Sequence, residues 1–150
     1  MRRVLAVHTL WPAPERHGSV TLAFDQRHRR RVVMTDDAGA EFLLDLPSAA
    51  HLRDGDGLEL EGGGFLQVIA AAEPVAEVTC GGAAALARVA WHVGNRHVPV
   101  QILDGGTLLV PDDHVLIAML EGLGAGVTRV TRPFQPETGA YDRGGHHHHH

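Results

Sequence analysis

The hydrophobic period of this chain changes once, near Glu73-Pro74, and that change narrows the folds open to it more than any other feature. Upstream, Val20, Leu22 and Phe24 alternate with Thr21 and Ala23, the period of two by which a strand buries one face. Further strands are expected over residues 4–10, 31–35, 41–46, 58–61 and 65–72. Turn formers separate them: Pro12-Ala13-Pro14, Asp36-Asp37-Ala38-Gly39, Asp54-Gly55-Asp56-Gly57 and Gly62-Gly63-Gly64. Six short strands at this spacing predict a small sandwich or barrel, a β-sandwich-like domain over residues 1–73.

Downstream, strand and helix periods alternate. Residues 75–79 read as a strand, and residues 83–93 as a helix with Leu86, Val89, Ala90 and Val93 at i, i+3, i+4 and i+7. A Gly94-Asn95 turn is expected to close that helix, because Gly94 takes left-handed backbone angles freely. Residues 98–103 and 107–110 read as two strands joined through Asp104-Gly105-Gly106. Asp112 or Asp113 then caps a second helix by accepting from its free N–H groups. That helix places Leu116, Met119, Leu120 and Leu123 on one face, and residues 127–131 form the last strand.

The order β-α-β-β-α-β is the ferredoxin-like arrangement, in which two helices cover one face of a four-stranded antiparallel sheet. The expected fold class is therefore α+β. An all-β domain leads into a ferredoxin-like domain over residues 74–143, and a histidine-rich tail occupies residues 144–150. Residues 132–139 are proline-interrupted and should leave the domain as an ordered arm, with disorder expected after Tyr141.

Charge and composition exclude several functions. A net charge of −5 argues against a general nucleic-acid binder. All 13 basic residues are arginine, so lysine-based covalent chemistry is absent. The single cysteine, Cys80, cannot form an internal disulfide and fits a reducing compartment. The apolar run after Arg2-Arg3 stops at His8, too short for the core of a signal peptide. No segment approaches the roughly 20 apolar residues of a membrane span. A soluble, cytoplasmic protein is expected.

Histidine carries the chemistry. His97 falls in the connection between the first helix and the next strand, where a side chain can face outward, and neutral imidazole suits nickel, copper and zinc. One imidazole binds weakly, but a two-fold dimer with this loop on its axis would bring two copies together. The competing reading is that His97 packs its own turn or bonds a carbonyl. His92 and His114 are secondary candidates, His114 with Asp112 in a peripheral site. The tail, His146, His147 and His148 with His149 and His150, is either a purification tag or a native metal-binding tract. His8, His17, His28 and His51 read as surface or partly buried residues, and Arg27–Arg31 as a solvated hairpin edge with a phosphate patch as the alternative. No G-x-S-x-G, phosphate loop, HExxH or paired CxxC occurs, so no enzyme is expected. A small hydrolase would have to use Cys80, which reads as structural.

Three segments in order, His92–Ile102 (H-V-G-N-R-H-V-P-V-Q-I), Asp113–Gly124 (D-H-V-L-I-A-M-L-E-G-L-G) and Pro133–Tyr141 (P-F-Q-P-E-T-G-A-Y), resemble the UreE family of urease accessory proteins. The resemblance is close in the C-terminal half and general in the N-terminal half. It implies a homodimeric metallochaperone in which His97 of both subunits holds one nickel ion at the dimer interface. It further implies that tail imidazoles, His146 to His148 among them, complete or extend that site. Copper and zinc are the expected competitors. Implied partners are the other urease accessory proteins, including the GTPase that drives nickel insertion, and the apo-urease complex. Family members also carry peripheral histidines at the start of the second helix. Here His114 matches one, but position 112 is aspartate, which implies a weaker or absent peripheral site. The alternative function is a peptide- or protein-binding adaptor whose β domain does the work, with the C-terminal histidines a tag.

Overall fold

The computed structural model describes residues 1–139, so the expected tail ligands His146, His147 and His148 and the disorder expected after Tyr141 lie outside the described residues. The chain forms two compact units that divide between Ala71 and Ala72.

Every strand expected in the first unit is present: β1 (Arg2–His8), β2 (Arg16–Leu22), β3 (His28–Thr35), β4 (Glu41–His51), β5 (Gly57–Leu60) and β6 (Phe65–Ala70). They form one continuous sheet, ordered β2-β6-β5-β1-β4-β3, in place of two facing sheets. Val4, Val20, Met34, Phe42, Leu58 and Leu66, one from each strand, bury into a single cluster, so the sheet curls around its own core. Hydrogen bonds hold the curl. Asp37, just past β3, accepts from the hydroxyls of Ser19 (2.7 Å) and Thr21 (2.9 Å) on β2, the opposite edge.

Arg27 departs from the solvated edge expected of its run. It is buried, and its guanidinium donates to the carbonyls of Leu22 (2.9 Å) and Leu52 (3.2 Å), tying the entry to β3 against two other segments. The rest of the run lies on β3, which is an edge strand as expected. Arg2 donates to Asp36 at 2.7 Å and Arg3 to Asp45 at 2.8 Å. Those guanidinium bonds hold both carboxyls below the usual carboxylate range. The stability they contribute is present above the ordinary aspartate pKa and is lost as the pH falls through the depressed one.

The second unit contains β7 (Ala72–Thr79), α1 (Ala83–Asn95), β8 (Gln101–Ile102), β9 (Leu108–Pro111), α2 (His114–Gly122) and β10 (Gly126–Pro133). Its sheet runs β10-β7-β9-β8, all antiparallel, the ferredoxin-like order. Val89 and Val93 of α1 and Leu116 and Leu120 of α2 bury against Ala76 and Val78 of β7 and Leu108 and Val110 of β9. Both helices therefore cover the same face. Pro74 lies inside β7 at a position that pairs with β10 alone, the one-sided setting in which a strand tolerates proline. Asp113 is the cap of α2 and accepts from the N–H groups of Val115 and Leu116. No described helix is long and apolar enough to cross a membrane.

Two local expectations fail near His97. The helix does not stop at a Gly94-Asn95 turn but runs through Asn95. The strand expected over 98–103 pairs only at Gln101 and Ile102. Val100, just before the paired residues, gives its carbonyl to the N–H of Glu137 on the arm after β10, at 2.7 Å.

Candidate metal centre

The end of α1 determines how His97 is presented. The N–H of His97 donates to Gly94 O (3.0 Å) and that of Val98 to Val93 O (3.2 Å). This pair of bonds, one reaching back three residues and one five, is the Schellman closure of a helix. Val93 and Val98, the residues bridged by the longer bond, both belong to the apolar cluster beneath the helices. Such a closure puts the residue after the cap in the left-handed region, normally a glycine's place. Here that residue is His97, at φ 58°, and among the described residues it is the one non-glycine with positive φ. A left-handed backbone costs an L-residue roughly 1–2 kcal/mol. The strain sits on the residue that the sequence singles out for chemistry.

His97 is exposed and lines a hollow of about 400 Å³ with Gly94, Val98, Pro99, Val100 and residues 137–139. One wall is the helix closure and the other is the arm. The arm is fastened there: Phe134 is buried at 2 % exposure, Gln135 N–H donates to the side chain of Gln101 at 2.8 Å, and Glu137 N–H to Val100 O. The arm thus delivers the chain to the His97 hollow at Gly139. Sequence reasoning missed this, because 40 residues separate His97 from Glu137 and no local pattern joins them.

The other candidates are dispersed. His92 lies a turn earlier on α1 and packs edge-on against Trp91, which is 63 % exposed. His114 opens α2 on the surface, and the Asp112 carboxylate beside it already accepts from Arg129 Nε at 2.9 Å. That ion pair competes directly with any cation for the peripheral position. In the first unit, His8 contacts Glu59 at 2.7 Å, and His28 and His51 stack with ring centroids 3.7 Å apart. Cys80 is half-buried and packs against the core of the second unit. Among the described residues, no three histidine, cysteine, aspartate or glutamate side chains stand together as a metal-holding group.

Both halves match one family. Residues 2–71 match the UreE urease accessory protein, N-terminal domain, and residues 73–150 match its C-terminal domain. The chain is 52 % identical over 130 residues to a urease accessory protein UreE of Bradyrhizobium sp. (strain ORS 278), covering 87 % of this chain and 61 % of that protein. It is 54 % identical over 124 residues to the UreE of Azorhizobium caulinodans, covering 83 % of this chain and 59 % of the relative. A third UreE, from Bradyrhizobium sp. (strain BTAi1 / ATCC BAA-1182), is 48 % identical over 144 residues, which is 96 % of this chain and 68 % of that one. The chain thus spans about 60 % of the length of the first two relatives. With both of its domains matched in order, and with relatives near 50 % identity along most of its length, the chain belongs to the UreE urease accessory protein family.

Proposed function

We propose that this chain is a nickel-binding metallochaperone that delivers nickel to urease during maturation of its active site. It works as a cytoplasmic homodimer in which two His97 side chains share one ion. It hands that ion on to the urease accessory GTPase and the apo-urease complex. The observation that carries this reading is the left-handed His97 at the rim of the hollow. Glycine would close the helix there without strain, so the imidazole occupies the position at a cost that local stability does not explain.

One imidazole cannot hold an ion tightly, and a second copy supplies a second by symmetry. The arm supports a role for the tail. Gly139 lines the hollow, and His146 follows seven residues later, within about 25 Å of extended chain. His146, His147 and His148 can therefore reach the ion while other ligands hold it. Such ligands exchange one at a time, so transfer needs no step that strips the metal bare. Imidazole donors alone would favour copper over nickel, with zinc competing. Membership in a urease accessory protein family supports nickel as the cargo.

The test is nickel binding per dimer, measured by calorimetry in the intact chain, in a chain with His146 to His150 replaced by serine, and in His97→Ala of each. The expected result is loss of the shared site in both His97→Ala proteins. Unchanged binding when His97→Ala is combined with the serine tail would overturn the reading.

A further inference from the structure

We propose that Glu137 is a metal ligand of the His97 site, which makes the symmetric centre a mixed nitrogen–oxygen site of two imidazoles and two carboxylates. This rests on the shared-ion reading of His97 above. Three observations lead to it. Glu137 lines the same hollow as His97, on the opposite wall. Its backbone is pinned there by its N–H bond to Val100 O at 2.7 Å, and the buried Phe134 and the Gln135–Gln101 bond anchor the arm just before it. Its side chain is exposed, and no other described residue accounts for its carboxylate by hydrogen bond or ion pair.

An exposed glutamate usually costs nothing and does nothing. This one is held by its backbone at the hollow that His97, itself in a strained backbone position, also lines. A carboxylate is a hard oxygen donor with charge, and imidazole is a borderline nitrogen donor. Together they suit a divalent first-row cation that retains water in its remaining positions. Two such pairs across a two-fold axis would leave the protein contributing two negative charges against the ion's two positive ones. An all-imidazole site would leave the ion's charge uncompensated. The carboxylates also give the ion a foothold when the tail is elsewhere, so four donors suffice without any tail histidine.

The experiment uses the full-length chain with His146 to His150 replaced by serine, which prevents the tail from masking a lost ligand. Nickel affinity is measured for this parent and for Glu137→Gln, Glu137→Asp and His97→Ala. The shift of a carboxylate stretch on nickel binding is followed by infrared difference spectroscopy. Glu137→Gln keeps the backbone bond to Val100 and should melt like its parent. It is expected to bind nickel about ten- to a hundredfold more weakly and to lose the nickel-induced carboxylate shift. Glu137→Asp should recover most of the affinity and the spectral shift. Parent-like affinity or an unchanged carboxylate shift in Glu137→Gln overturns the proposal, as does a parent that no longer binds nickel. If His97→Ala removes binding while Glu137→Gln does not, the carboxylate ligand fails and the shared imidazole site stands. If His97→Ala changes nothing, the site itself is wrong.

Discussion

The two helices of the second unit end in the same way and differ at one residue. At the end of α2, Gly124 N–H donates to Glu121 O (2.9 Å) and Ala125 N–H to Leu120 O (3.1 Å). At the end of α1, His97 and Val98 make the equivalent bonds to Gly94 and Val93. Each closure is clasped by an apolar pair in the shared core, Leu120 with Ala125 and Val93 with Val98. The left-handed position holds glycine in one case, at φ 93°, and histidine in the other, at φ 58°. The motif accepts either residue because the clasp and the two hydrogen bonds fix it. What the left-handed residue contributes is then free to be something other than stability.

Exchanging the residues tests that claim most strongly. In His97→Gly, the proposed shared nickel site should vanish while the fold gains. Relief of about 1–2 kcal/mol of left-handed strain exceeds the roughly 0.5–1 kcal/mol that glycine's extra freedom in the unfolded chain costs. Urea denaturation should therefore show a protein slightly more stable than wild type that no longer binds nickel at that site. A clear loss of stability would mean that the imidazole holds the turn, and would revive the reading in which His97 merely packs its own connection. The converse, Gly124→His, should cost about 1 kcal/mol and create no nickel site. A Cβ at Gly124 meets nothing within 4 Å, so backbone strain is the main penalty. Calorimetry with nickel on that variant should match the parent titration.

The comparison also explains what was legible in the sequence. The elements were, because period-two and period-3.6 patterns report directly on which face is buried, and Ala76, Val78, Val89, Leu116 and Leu120 all face the core. The end of α1 was not. Gly94-Asn95 carries the composition of a turn, yet the register of the closure is set by the apolar pair five residues apart, Val93 and Val98, which places the left-handed angle at His97. That clasp was the available signal, and the same spacing at Leu120 and Ala125 marks the end of α2. His97 itself was legible as a candidate from its residue type and connection, and more so from the motif around it. The hollow was not, since it depends on an arm that bonds Val100 from a segment distant in sequence. Arg27 was misjudged for a similar reason. A basic run looks solvated, and nothing local announces the carbonyls of Leu22 and Leu52 waiting to accept from one of its members.

The beginnings of the two helices differ as well, and more gently. The carbonyl of each N-cap accepts the first helical bond, Gly82 O from Leu86 and Asp113 O from Ile117, both at 2.9 Å. Only Asp113 adds a side chain, which accepts from the N–H groups of Val115 (3.4 Å) and Leu116 (3.2 Å). Asp113→Ala should therefore cost about 1 kcal/mol, read as a lower urea midpoint. At α1 the opposite change should help. Gly82 has extended angles, φ 165° and ψ 177°, and a Cβ there meets no atom within 4 Å. Gly82→Asp would introduce the missing acceptor at the positive end of the helix dipole, for a gain of a few tenths of a kcal/mol. The gain is small because glycine already serves tolerably as an N-cap, whereas alanine does not. Matched urea titrations of the two variants should show a loss at α2 that exceeds the gain at α1. Equal and opposite shifts would mean that Gly82 gives α1 no better a start than alanine would.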